Sequence, residues 1–225
     1  MKRFFACLLA LSMLLACLSA SAETATPAEA TPATPSEAAD EGILMHGYLS
    51  PYAGYYIGVP AEWALIGAGS HQENLDQAYE LLPDMDVDGL RKKMTAENDV
   101  LIAASKDGAS LVLNYGKADG ASNEDLIDSL DTFKKALTAQ CPGIKFSDDC
   151  GKYEFNTLAN LLYIGADYNG YEIRQYYMVA GENMYIFTFT GVTKQIAEVV
   201  LSTFRMQSAS DGTVKSYAQI QQRHL

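Results

Sequence analysis

The sequence predicts an α+β domain in which an antiparallel β-sheet is flanked by helices, an α/β/α sandwich. Three observations carry this. From Ile144 to Thr190 four successive runs are β-rich with a period of two, and Asn169-Gly170 between two of them is a strong two-residue hairpin turn. Two other stretches, Leu126 to Leu137 and Ile196 to Phe204, repeat their apolar residues at helical spacing. Strands flanked by helices at the beginning, middle and end fit one layered domain.

The elements follow in order. Tyr55 to Val59 reads as a strand stopped at Pro60, and Trp63 to Ile66 as its extension, with Trp63 a core anchor. Ser70-His71-Gln72-Glu73 has the form of a capping box, opening a helix with Leu75, Ala78, Tyr79 and Leu82 on its apolar face, until Pro83 ends it. A short helix carries Leu90 and Met94. Val100 to Ser105 and Ser110 to Tyr115 form two strands joined through Asp107-Gly108. Ser122 to Asp125 starts the longest helix, which Pro142-Gly143 stops. Leu158 to Tyr168, Tyr171 to Ala180 and Met184 to Thr190 make an antiparallel meander, and Thr193 caps the final helix.

The ends of the chain have a different chemistry. Met1-Lys2-Arg3 followed by the apolar run Phe4 to Leu18 reads as a signal peptide over residues 1–22. Ala20-Ser21-Ala22 before Glu23 has the small-x-small form of a signal-peptidase site. Leu14-Leu15-Ala16-Cys17 resembles a bacterial lipobox, in which Cys17 would carry the lipid. Both routes stay open, and Cys17 as mere apolar filler is a third reading. Residues 23–41 form an Ala/Thr/Pro/Glu tether with no aromatic or β-branched aliphatic residue, too poor in apolar groups to order itself. The folded domain spans 42–206. Residues 207–225 form a polar tail in which Val214 to Ile220 make a weak turn of helix.

Charge excludes one class of partner. The chain carries −12, and loss of Lys2 and Arg3 leaves −14, so nucleic acid and anionic lipid headgroups repel it alike. Membrane attachment is expected only through a lipid anchor.

The entry Tyr55 to Trp63, the central long helix, the late meander and the closing Val200-Leu201-Ser202-Thr203-Phe204 resemble the PsbP/Mog1/DcrB-like superfamily, particularly its exported bacterial members. The resemblance covers Gly42 to Phe204. It implies a binding and assembly scaffold, and no photosystem-binding or GTPase-binding residue can be matched onto this sequence.

The sequence contains no catalytic or cofactor-binding motif. Asp84-Met85-Asp86-Val87-Asp88-Gly89 matches the first half of a calcium loop, with Asp84, Asp86 and Asp88 as metal ligands, but Thr95 stands where a bidentate Glu should close the shell. The competing reading is that Asp86 or Asp88 caps the helix bearing Leu90 and Met94. Cys141 and Cys150 are an even pair in an exported domain, and a bridge between them is expected to stabilise by about 2 to 3 kcal/mol. Fourteen tyrosines are the compositional oddity, six of them clustered in the meander. Core packing explains most, and an aromatic binding surface at Tyr163, Tyr171 and Tyr177 is the alternative. The expectation is a non-enzymatic extracytoplasmic binding or scaffold domain without cofactors, secreted or lipid-tethered, for a protein, peptide or glycan of the cell envelope. An extracytoplasmic hydrolase with an unrecognised site is the alternative, to be known by a cleft where Ser, His and carboxylate groups converge.

Overall fold

The computed structural model describes residues 43–96, 99–156, 159–207 and 214–216. The signal, Cys17 and the tether lie outside the described residues. An antiparallel sheet with helices across one face is present as expected, but the second face is covered mainly by another sheet.

The large sheet runs β3 (Ala64–Ile66), β4 (Val100–Ala104), β5 (Ser110–Lys117), β10 (Asn183–Thr190), β9 (Tyr171–Ala180) and β8 (Ala159–Tyr168). The outer edge of β8 is shared by two short strands, β6 (Lys145–Phe146) opposite Ala166 and Asp167, and β7 (Gly151–Asn156) opposite residues 159–163. The run expected as one strand from Ile144 to Phe155 is therefore two. Every pairing in the sheet is antiparallel, and the Asn169-Gly170 turn joins β8 to β9 with positive φ at both residues, as the two-residue hairpin requires.

Period-two alternation gives this sheet two apolar faces. On one, Leu111 and Leu113 of β5, Tyr185, Phe187 and Phe189 of β10, and Tyr176 and Met178 of β9 pack with Trp63 against Tyr55, Ile57 and Val59. Those last three belong to β2 (Tyr55–Pro60), part of a smaller sheet ordered β1 (Met45–Leu49), β2, β11 (Arg205–Gln207) and β12 (Val214–Ser216). Residues 214–216 form a strand, not the turn of helix expected there, because β11 offers them an edge to pair with. Helix α5 (Lys194–Ser202) completes this layer with Ala197, Val200 and Leu201, and its Thr193 cap forms as predicted.

The opposite face is covered by two helix pairs. α1 (Gln72–Leu81) and α2 (Val87–Lys92) bury Leu75, Ala78 and Val87 over β3 to β5. α3 (Asn123–Asp128) and α4 (Leu130–Gln140) bury Leu126, Phe133 and Leu137 over β8 to β10. The predicted long helix is thus broken at Ser129, which closes α3 and opens α4. Its start is a true capping box between Ser122 and Asp125. The capping box at Ser70 does not form: the N-cap of α1 is His71, without a side-chain bond, because the Ser70 hydroxyl donates instead to the Leu65 carbonyl at 3.0 Å. Between the two helix pairs runs a polar chain. Tyr177 donates its hydroxyl to Gln175 Oε1 at 2.8 Å, and Gln175 Nε2 donates to Thr188 Oγ1 at 3.1 Å.

Phe204 locks the layers together. Its ring stacks on Tyr55 at 5.8 Å and meets Tyr185 and Phe187 edge-on at 5.2 Å each, so it touches both sheets just beyond the end of α5. Phe204→Ala is expected to destabilise by about 3 to 5 kcal/mol, whereas Tyr171→Ala at an exposed turn should stay within about 0.5 kcal/mol of the parent. Urea denaturation of both variants checks this, and similar losses would refute the assignment of Phe204 as the keystone.

Candidate functional site

One concave feature combines an unpaired strand with a helix start. β1 pairs with β2 on one side, and among the described residues nothing pairs with its other edge. The Ala61 amide donates to the Leu44 carbonyl and the Ser50 amide to the Tyr55 carbonyl, at 2.9 Å each. Even-numbered residues of β1 therefore bond to β2. By antiparallel alternation, Met45, Gly47 and Leu49 turn their backbone groups outward. Pro60 stands opposite Met45, a pair that exchanges no hydrogen bonds, so its missing N–H costs β1 nothing. At the far end the edge is closed, since a Cβ at Gly69 would lie 2.7 Å from the Leu49 carbonyl oxygen. The open part is Met45 to Gly47.

That open edge forms one wall of a groove of about 960 Å³, whose other wall is the first turns of α1 from His71 to Gln77. Gln77 Nε2 donates to the Ala61 carbonyl at 3.2 Å and ties the two walls together. On β1 the Tyr56 ring lies across Gly47, so close that a Cβ there would come 2.5 Å from its hydroxyl. Gly47 keeps the strand bare at its centre. Leu44, next in sequence to Met45, is 76% exposed.

Two groups of polar side chains lie deeper. At one end of the space between the sheets, Asp99 is 2% exposed and accepts a 2.5 Å hydrogen bond from the Ser50 hydroxyl, while its other oxygen has no partner. The same Ser50 oxygen accepts from the Ala53 amide at 2.9 Å, which holds the β1–β2 turn. Burial raises the Asp99 pKa above the usual 3.8, against the opposing pull of Ser50. Burial first, and then the nearby Asp99 charge, push the Tyr48 phenol up; burial, then Tyr48 and Asp99, do the same to Tyr55. At the other end Arg174 is buried and bonded to Glu172 and to the Val192 carbonyl. Beside it Tyr153, Tyr163 and Tyr176 meet at 5.0 to 6.4 Å. The sequence pattern singles out Tyr163 as a surface residue, but not Ser50, Asp99 or Arg174, and not β1.

The predicted site residues disperse. Asp86 caps α2 by accepting from the Gly89 amide at 2.9 Å, and Asp88 accepts from the Tyr79 hydroxyl at 2.7 Å, each carboxylate serving its own local bond. Among the described residues no three His, Cys, Asp or Glu side chains are grouped to hold a metal. The aromatic surface is corrected: Tyr177 is fully buried beneath Phe133, at 4.8 Å, and Tyr163 is in the core between the sheets, which leaves Tyr171 alone exposed. The bridge between Cys141 and Cys150 is corrected too. Cys141 ends α4 and turns into the apolar cluster around Leu137, whereas the Cys150 thiol donates to the Gly165 carbonyl of β8 at 3.3 Å. His46 and His71 line the groove; His224 lies outside the described residues.

No family model and no curated protein matches the chain. Among solved structures, the solution structure of cyanobacterial PsbP (CyanoP) from Synechocystis is similar to it at 12% identity, over 76% of this chain and 98% of that one, with a TM-score of 0.42. A crystal structure of a Bacteroides thetaiotaomicron protein is similar at 11% identity over 73% of this chain, with a TM-score of 0.40. This chain spans 49% of that protein's length. Neither likeness bears on ligand or activity.

Two outcomes follow from these placements. A carboxyl whose folded pKa is raised favours the fold most when protonated, so the Asp99 contribution is fully present below its unfolded value and is lost as pH rises from there through the folded pKa. Asp99→Asn should therefore melt higher than the parent at pH 7 and level with it near pH 3. Melts across that range check the sign, and a variant that is less stable at pH 7 refutes it. In the native protein Cys150 should alkylate without reductant while Cys141 reacts only on unfolding. Peptide mapping that recovers them disulfide-linked would contradict the structure.

Proposed function

We propose that this chain is an exported, non-catalytic binding or scaffold domain of the cell envelope, secreted or tethered through a lipid on Cys17, whose partner docks along β1. The open edge of β1 beside the α1 groove is the observation that supports binding. Outward-turned amides and carbonyls of a strand recruit another extended segment by main-chain pairing, and a neighbouring helix supplies the wall that selects its side chains. A peptide or protein segment suits this geometry better than a glycan, which would want the aromatic platform that Tyr163 and Tyr177 do not offer. The basic and then apolar N-terminus supports export.

Met45→Pro removes an outward N–H from an edge position where proline is tolerated, and should leave the thermal melt within a few degrees of the parent, about 1 kcal/mol or less. Cross-linking of the mature protein in the envelope should yield a partner that this variant loses. A partner retained by the variant, or turnover of ester, peptide or glycoside substrates, would overturn the reading. Intact mass should show a chain starting at lipidated Cys17 or at Glu23; a cytoplasmic product starting at Met1 would remove the export claim.

A further inference from the structure

We infer that the groove between β1 and α1 accepts an extended cationic peptide, added to β1 as a further strand. This rests on the docking edge proposed above and names the chemistry of its occupant.

The inference comes from where the positive charges are not. From Phe4 to Leu90 the chain contains no Lys or Arg. Within the described part of that stretch, residues 43–90, stand seven acids: Glu62, Glu73, Asp76, Glu80, Asp84, Asp86 and Asp88. With no Lys or Arg among them, residues 43–90, which hold β1, β2, β3, α1, the start of α2 and the turns between them, carry a formal charge of −7 with the histidines neutral. Both walls of the groove are built wholly from this stretch.

Arg91, Lys92 and Lys93 follow at the end of α2, with Arg91 near Asp88, but among the described residues no ion pair reaches the two acids beside the groove, Glu62 and Glu73. The ion pairs among the described residues are Lys117 with Glu182 and Arg174 with Glu172, neither of which involves residues 43–90. Glu73, on the α1 wall, and Glu62, next to the Ala61 that lines the floor, are both exposed. A negative concavity of this kind concentrates cations and raises their encounter rate.

Backbone and charge together fix the class of occupant. A small cation would satisfy the acids but not the outward amides and carbonyls of Met45 and Gly47. A second copy of this chain would satisfy the backbone groups but bring its own −7 against the first, a repulsion that opposes pairing of β1 with β1. An extended basic peptide meets both demands. Because a strand alternates its faces, the segment that fits best carries Lys or Arg at every second position, so that one face of it meets Glu73 and Glu62.

The probe is a fluorescent ten-residue peptide of alternating Lys and Val, titrated into the mature protein. Its controls are the Glu and Val counterpart and the Lys and Val peptide with alternate backbone nitrogens methylated. The Lys and Val peptide should bind, with affinity falling as salt rises, and about tenfold or more weaker for Glu73→Lys, for Glu62→Lys and for the methylated peptide, a loss of about 1.4 kcal/mol or more. Two exposed charge reversals on different elements guard against a fold defect in either. Equal binding of the acidic peptide, undiminished binding of the methylated one, unchanged affinity in both variants, or no binding at all would each overturn the inference. Self-association of the chain that the peptide cannot disrupt would also overturn it. If the envelope partner is lost in Met45→Pro while the Lys and Val peptide fails to bind, the docking edge stands and only its cationic occupant is wrong; a partner indifferent to Met45→Pro removes the edge itself.

Discussion

Burial of β10 on both faces is the constraint from which the remaining architecture follows. Tyr185, Phe187 and Phe189 project to one side of the strand, and Met184 and Ile186 to the other, so neither side can be left to water. Full burial of a side chain of this size is worth about 1.5 to 3 kcal/mol, and each one needs a covering element to deliver it. One side recruits the two helix pairs, and the other recruits β2 with α5. The small sheet is in this sense a lid on an apolar surface, and its own outer strand, β1, is left over once that surface is covered.

The legible parts of the sequence were those whose cause is local. The Ser122 and Asp125 box closes within four residues, Thr193 reaches only to Ile196, and Asn169-Gly170 needs nothing beyond its own backbone. The illegible parts depend on distant partners. Asp99 is an ordinary acid until Ser50, 49 residues earlier, is folded against it. Ser70 fits the capping pattern, yet its hydroxyl finds the Leu65 carbonyl first. Tyr177 has the same local surroundings as an exposed strand tyrosine, and only the arrival of Phe133 on α4 decides that it is interior. β1 was missed because Met45 to Leu49 mixes a histidine, a glycine and a tyrosine with no clean alternation, and becomes a strand through β2.

Two of the interior tyrosines, Tyr177 and Tyr48, have their polar tips bonded within the fold. Tyr177 donates a hydrogen bond to Gln175, which donates on to Thr188, so a polar chain threads between two apolar helix footprints without leaving those groups unpaired. Tyr48 accepts from the Gly69 amide at 3.3 Å, at the rim of the space between the sheets. The rings do the packing while the hydroxyls collect at the ends, where Asp99 and Arg174 also sit. Large aromatic surface and a few long-range polar bonds thus specify one registration of the layers more narrowly than apolar contact alone.

The way the sheets end has a consequence for solubility at high local concentration. β3 is three residues long, and the far border of the large sheet is split between β6 and β7, so neither margin offers a long uninterrupted template for stacking into fibrils. β1, on the small sheet, leaves open only Met45 to Gly47, so that margin is short as well. The acids of residues 43–90 add to this, because like charge opposes the zipping of one copy's margin onto another's.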